Sequence, residues 1–143
     1  MRRIGLLSLV LVGLVGCGSQ NTTTNYTQFC QLADEMNAVS GTHGEDPAAI
    51  TDPALMADTW KKVTDAAEKL RDNAPDTVKQ DVTLMVSTIL DMDEIFQKYK
   101  YDLVAMSKDE EIRKSVDAIS TRDGVADASR RFNTFMENNC NAS

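Results

Sequence analysis

Hydrophobic positions along the chain fall into three textures. Ile4 to Val15 form a mainly apolar run, uncharged throughout, behind Arg2 and Arg3, Gly18 to Asn25 (GSQNTTTN) contain no apolar side chain, and from Tyr26 onward apolar residues recur every three or four positions. The first run is too short to cross a bilayer, which takes about 20 apolar residues. The third texture is the period of one face of an α-helix. Tyr26, Phe29, Cys30, Ala33 and Met36 mark a first helix ending near Val39, with Asn25 and Gln28 at capping-box spacing. Ser40 to Asp52 holds Gly41, Gly44 and Pro47 and reads as a long loop, in which Pro47 to Ile50 has the makings of one helical turn.

Asp52 as cap and Pro53 at the first helical position open a second helix, whose face is Met56, Trp60, Val63, Ala67 and Leu70. On its wet side Asp58 precedes Lys62, and Asp65 precedes Lys69, by four residues, the favourable order. A third helix is expected from near Pro75, with the stripe Val78, Val82, Met85, Ile89, Met92 and Phe96. Val82, Leu84, Val86 and Leu90 also alternate as in a strand, but a helical stripe sustained over 18 residues far exceeds a usual strand, so helix is the reading adopted. Tyr99 to Met106 breaks the pattern. Ser107 with Glu110 repeats the capping-box spacing ahead of a short helix to about Ile119, supported by Asp109 to Arg113 and Glu110 to Lys114. After Ser120 to Gly124, a last helix carries Val125, Ala128, Phe132, Met136 and Cys140, with Asp127 and Arg131 on its wet side.

Charge followed by a dozen apolar residues and then small ones is the layout of an export signal. Leu14, Val15, Gly16 and Cys17 resemble the lipobox of bacterial lipoproteins, and that resemblance implies cleavage before Cys17 and lipid attachment on it. The expected organisation is therefore a lipoprotein signal peptide over 1–16, a lipidated Cys17 with a flexible tether over 17–25, and a helical domain over 26–143. The tether reads as a plain linker of roughly 15 Å reach, with Thr22, Thr23 and Thr24 as the places where a glycosylated one would carry sugar. At 143 residues there is room for one domain and no interdomain cleft. The formal charge of −7 becomes about −9 once Arg2 and Arg3 leave with the signal. That sign excludes a nucleic-acid partner and any basic adsorption to anionic lipid, so the membrane is met through the anchor alone.

With Cys17 assigned to lipid, Cys30 and Cys140 remain, and in an oxidising compartment they are expected to pair, with two buried free thiols as the other reading. Pairing constrains topology. Five alternating helices would put the two cysteines at opposite ends, whereas a disulfide needs Cα atoms within about 7 Å. Four long helices put them at the same end. The fold expected is all-α, a four-helix up-and-down bundle with Ser107 to Ile119 as a short crosswise connector, closed by one disulfide. The same parity sends both long loops to the end remote from the tether, gathering His43, Glu45, Tyr99, Tyr101 and Asp102 with Asp46 as a candidate binding cluster. Solvated loop residues covering a bundle end are the plainer account of the same cluster.

The catalytic inventory is thin. His43 is the only histidine, no Gly-x-Ser-x-Gly turn is present, and no zinc or calcium ligand set can be assembled, so no cofactor or metal and no enzymatic activity are expected. Acidic pairs such as Asp34 with Glu35, Asp91 with Glu94 and Asp109 with Glu110 read as solvated faces. Methionines 56, 85, 92 and 136 fall on apolar stripes as core fillers.

The lipobox, FCQLADEM after the tether, Ala74-Pro75 followed by Val78 and Asp81, and a closing helix ending at Cys140 together resemble the small helical lipoproteins of actinobacteria, over most of the mature chain. The resemblance implies a structural framework and an envelope location, and it carries no catalytic residue. In architecture alone the chain is also similar to the disulfide-closed helical haemophores of mycobacteria, with no matching haem-ligand motif. Two functions follow as expectations: a non-enzymatic module showing its distal loops to an envelope protein or cell-wall partner, or a carrier of a small apolar ligand such as a lipid or haem. A carrier needs an apolar pocket of roughly 300 to 1,000 Å³, while a display module is filled to ordinary density.

Overall fold

A computed structural model describes residues 26–41 and 51–140. The described chain is all-α, with six helices: α1 (Thr27–Gly41), α2 (Pro53–Asp72), α3 (Lys79–Lys98), α4 (Leu103–Lys108), α5 (Glu110–Ser120) and α6 (Val125–Asn139). The expected disulfide is formed: Cys30 and Cys140 are 110 residues apart in sequence and 5.4 Å apart at Cα.

Local chemistry explains most of the boundaries. Asp52 Oδ1 accepts from the Ala54 and Leu55 amides at 2.9 and 3.3 Å, and Pro53 follows at the first position, so α2 starts where expected. The third helix starts later than Pro75 because Pro75 and Val78 close a turn first, the Val78 amide donating to the Pro75 carbonyl at 2.9 Å. Ser107 is not a cap. Its hydroxyl donates back to the Val104 carbonyl, while Asp109, in extended backbone, accepts from the Glu111 and Ile112 amides. The helix expected from a cap at Ser107 is therefore present as α5, opened two residues later by Asp109, and an unexpected α4 occupies part of the stretch read as patternless. Six residues are too few for a helical period to show.

The core joins Phe29 and Ala33 of α1, Ala67 and Leu70 of α2, Val78 with Val82 and Val86 of α3, and Phe132 of α6. Met56, Val63, Met106, Ile112 and Ala128 are buried as well. Helix α3 is the hub, packed on by α2, α5 and α6. Its buried face accordingly differs from the single expected stripe: Val78 and Val82 are buried while Met85, Ile89, Met92 and Phe96 are only partly covered, and Val86 and Thr88 are buried as well, Val86, one of the strand-like alternation, being only 2% exposed.

Contacts from the second half of the chain step back along α3. Glu111, Ile112 and Ser115 lie beside Ile95, Lys98 and Tyr99; Arg122 pairs with Asp91; Gly124 approaches Leu84; and Arg131 grips Asp81. The segment expected as a crosswise connector thus has its second part, α5, set against α3 in the same descending series that α6 completes. At the disulfide end α1 and α6 meet edge to face through Tyr26 on Phe135, with ring centroids 5.0 Å apart, and Phe29 on Phe132 and Phe135 at 6.2 and 5.8 Å.

Expected ion pairs are redistributed by these contacts. Glu110 to Lys114 forms at 2.7 Å, but Asp65 pairs back to Lys61 instead of forward to Lys69, and Asp127 pairs with Arg130. Arg131 instead crosses to Asp81, which is the more sheltered carboxylate. Asn25, the capping partner expected for Gln28, lies outside the described residues, and Gln28 Nε2 donates to Asn73 at the end of α2.

Candidate functional site

The candidate cluster is built around the turn after α3. The Tyr101 amide donates to the Phe96 carbonyl at 2.8 Å and the Lys100 amide to the Gln97 carbonyl at 2.9 Å, the paired bonds of a Schellman ending. Such an ending wants glycine in the left-handed region, and here Lys100 and Tyr101 occupy it at φ 54° and 60°. The tyrosine helps to hold this backbone: its hydroxyl donates to Asp93 Oδ1 at 2.9 Å. Burial first, then the hydrogen bond to Asp93 and that carboxylate's charge, push the phenol up to about 12, against a smaller lowering by Gln97. Asp102 caps the next helix, accepting from the Ala105 amide at 2.8 Å.

Of the sequence-derived candidates, the turn brings Tyr99, Tyr101 and Asp102 together. The hydroxyl of Tyr101 and the carboxylate of Asp102 have intramolecular partners, and Tyr99, half-buried, lines a recess of about 140 Å³ with Ile95 and Ile112. His43 and Glu45, like Asp46, Cys17 and the tether, lie outside the described residues. Asp93 was not singled out from the sequence. Its partner is eight residues on and beyond a helix end, and neither helical nor strand period links such positions. The same holds for Asp91 with Arg122 and Asp81 with Arg131, 31 and 50 residues apart.

Next to this turn, Phe96, Leu103, Met106, Ile112 and Val116 line an open groove of about 410 Å³. Trp60 stacks obliquely on Phe96 with centroids 4.6 Å apart, and its indole Nε1 is buried without a hydrogen-bond partner. Leu55 and Val104, at the starts of α2 and α4, are the large apolar residues most open to solvent among those described, at 39% and 44%. Between α1, α2, α3 and α6 lies a more enclosed cavity of about 140 Å³. That is below the pocket volume a haem or whole lipid needs.

Among the described residues no group of three or more His, Cys, Asp or Glu side chains is placed to hold a metal ion, and no helix is long and apolar enough to cross a membrane. The fold and this end of it define a class: a small all-α domain closed by a terminal disulfide, its polar groups near the α3 to α4 turn largely committed to holding backbone. No family model matches the chain, and no curated protein or solved structure is significantly similar to it.

Proposed function

We propose that the protein is an exported lipoprotein of the cell envelope, anchored through Cys17, in which a non-enzymatic helical domain presents the end remote from its disulfide to an envelope protein or cell-wall partner. Its place is with the small helical lipoproteins that its lipobox and cysteine frame resemble. The domain is a four-strand up-and-down arrangement: α1, α2 and α3 alternate, and α5 followed by α6 makes the fourth strand back to the disulfide.

The observation that carries the reading is the position of Tyr26. The first described residue, Tyr26, packs on Phe135, five residues before Cys140, so the chain enters the domain at the disulfide end, which supports an anchor on that side. Gln28 bonded to Asn73 puts the close of α2 there too, and the start of α2 and the close of α3 then fall at the other end, where Trp60 meets Phe96. Leu55 and Val104 belong to that far end and give a partner apolar side chains to bury.

The test is a photo-crosslinking amino acid placed at Val104, or at Arg130 near the other end, in the native host. The reading expects a discrete adduct from Val104 only, lost when Leu55 is changed to Asp and when His43 and Tyr99 are changed together to Ala. Equal adducts from both positions, or an adduct indifferent to those changes, would contradict it.

A further inference from the structure

Protein interiors rarely keep voids much larger than a water molecule, yet this core holds a cavity of about 140 Å³. Its walls come from Ala33 and Met36 of α1, Leu70 of α2, Met85 and Ile89 of α3, and Phe132 of α6. The cause lies in the packing order. Helix α1 packs along α2 and α3 along α2, but α1 and α3 do not pack along one another. Phe132 of α6 lines the space left between them.

Three features define what would fill it. The size matches that of an apolar cavity of about 150 Å³ that stays dry and takes up benzene, so there is room for about six carbons. The shape is adaptable, because Met36 and Met85 are unbranched thioethers that re-pack around a guest. The opening is polar and uncharged: Asn37 and Ser40, one turn apart and both exposed, line the cavity as well, so it runs from the core to the surface of α1. Among the described residues no cation lines it, and the chain as a whole is acidic.

We infer that this cavity is a binding site for the end of one unbranched hydrocarbon chain of an uncharged amphiphile, with the chain end between Met36, Met85 and Phe132 and the head group against Asn37 and Ser40. This goes beyond the display role, and it does not depend on which end of the domain meets a partner.

The experiment is a methyl NMR titration of the full chain, held in a fluorinated surfactant whose stiff chain is too thick for the site, with the methionine methyls labelled and octanol as the probe. Saturating shifts are expected at Met36 and Met85, with Met56, buried elsewhere, as the unmoved reference. Octanoate, with the same chain and a charged head, should bind at least fivefold more weakly. Ile89→Phe, which fills the cavity, and Ser40→Phe, which crowds its mouth from an exposed position, should each weaken octanol binding at least tenfold. Should Ile89→Phe fail to fold, Ser40→Phe still decides. Shifts that do not saturate, that are as large at Met56, or that survive Ser40→Phe unchanged would overturn the assignment, and octanoate binding as tightly as octanol would overturn the uncharged head.

Discussion

At Tyr101 a single hydroxyl ties the turn after α3 back to Asp93. The folded phenol keeps its proton to about pH 12, against 10.0 for an unperturbed tyrosine. Folding is therefore favoured by this group at every pH below about 10, and the contribution is lost as pH rises from there towards 12. Tyrosinate absorbance should show one of the three tyrosines titrating late, and Tyr101→Phe should abolish that late step. The variant should also lose about 1 kcal/mol of stability to chemical unfolding at neutral pH, the typical worth of one hydrogen bond. Trp60 presents the opposite case, since its buried indole N–H has no acceptor. Trp60→Phe removes that orphan donor along with some apolar area, so the net change should stay within about 1 kcal/mol, where Trp60→Ala should cost about 3 to 5. Neither situation was legible in the sequence. Trp60 stood on the right helical face, but whether its nitrogen finds a partner depends on neighbours such as Phe96, brought in from another helix.

At the scale of elements, the helices with long apolar stripes were legible and the short joint between them was not. The faces of α2 and α6 coincide with their stripes, and Asp52 with Pro53 marked a start that backbone chemistry makes hard to place elsewhere. Around Asp109 the cap expected at Ser107 is displaced to Asp109, which both closes the preceding helix and opens α5. The two caps can be told apart directly. Asp109→Ala should destabilise the protein by about 1 kcal/mol, while Ser107→Ala, whose hydroxyl only bonds back to Val104, should stay within about 0.5. Lys100 sits at the left-handed position of the α3 ending, where a Cβ is strained by about 1 kcal/mol or more. Lys100→Gly should therefore raise the melting temperature, an unusual direction for a change to glycine. A fall would show that the lysine side chain contributes more than its backbone costs.

For the whole molecule, the pairing expected of the two cysteines left once Cys17 is set aside was legible from their number. Cys30 and Cys140 do meet, over a separation of 110 residues. Closing a loop of that length removes unfolded-state entropy worth at most about 4.7 kcal/mol, so the double change Cys30→Ser and Cys140→Ser should destabilise the domain by 2 to 4.7 kcal/mol or so. The Tyr26, Phe29, Phe132 and Phe135 contacts remain to hold the same ends, which is why the variant should still fold. Opposite charges joined across helices, Arg131 with Asp81 and Arg122 with Asp91, could not be foreseen from the i to i+4 rule, because only the packed arrangement sets those partners. The candidate cluster was half legible for the same reason. Tyr99, Tyr101 and Asp102 do share a turn, but the roles of Tyr101 and Asp102 in holding that turn emerge only with Asp93 and the Ala105 amide in place.

The central claim joins a lipid on Cys17 to a disulfide-closed domain, and both are covalent, so an intact mass decides it. The protein should be extracted from its host's membranes and measured under denaturing, non-reducing conditions and again after reduction. The account predicts a chain beginning at Cys17 that carries the mass of attached acyl chains and gains two hydrogens on reduction. A chain that retains residues 1–16, or that begins elsewhere without lipid, would contradict it.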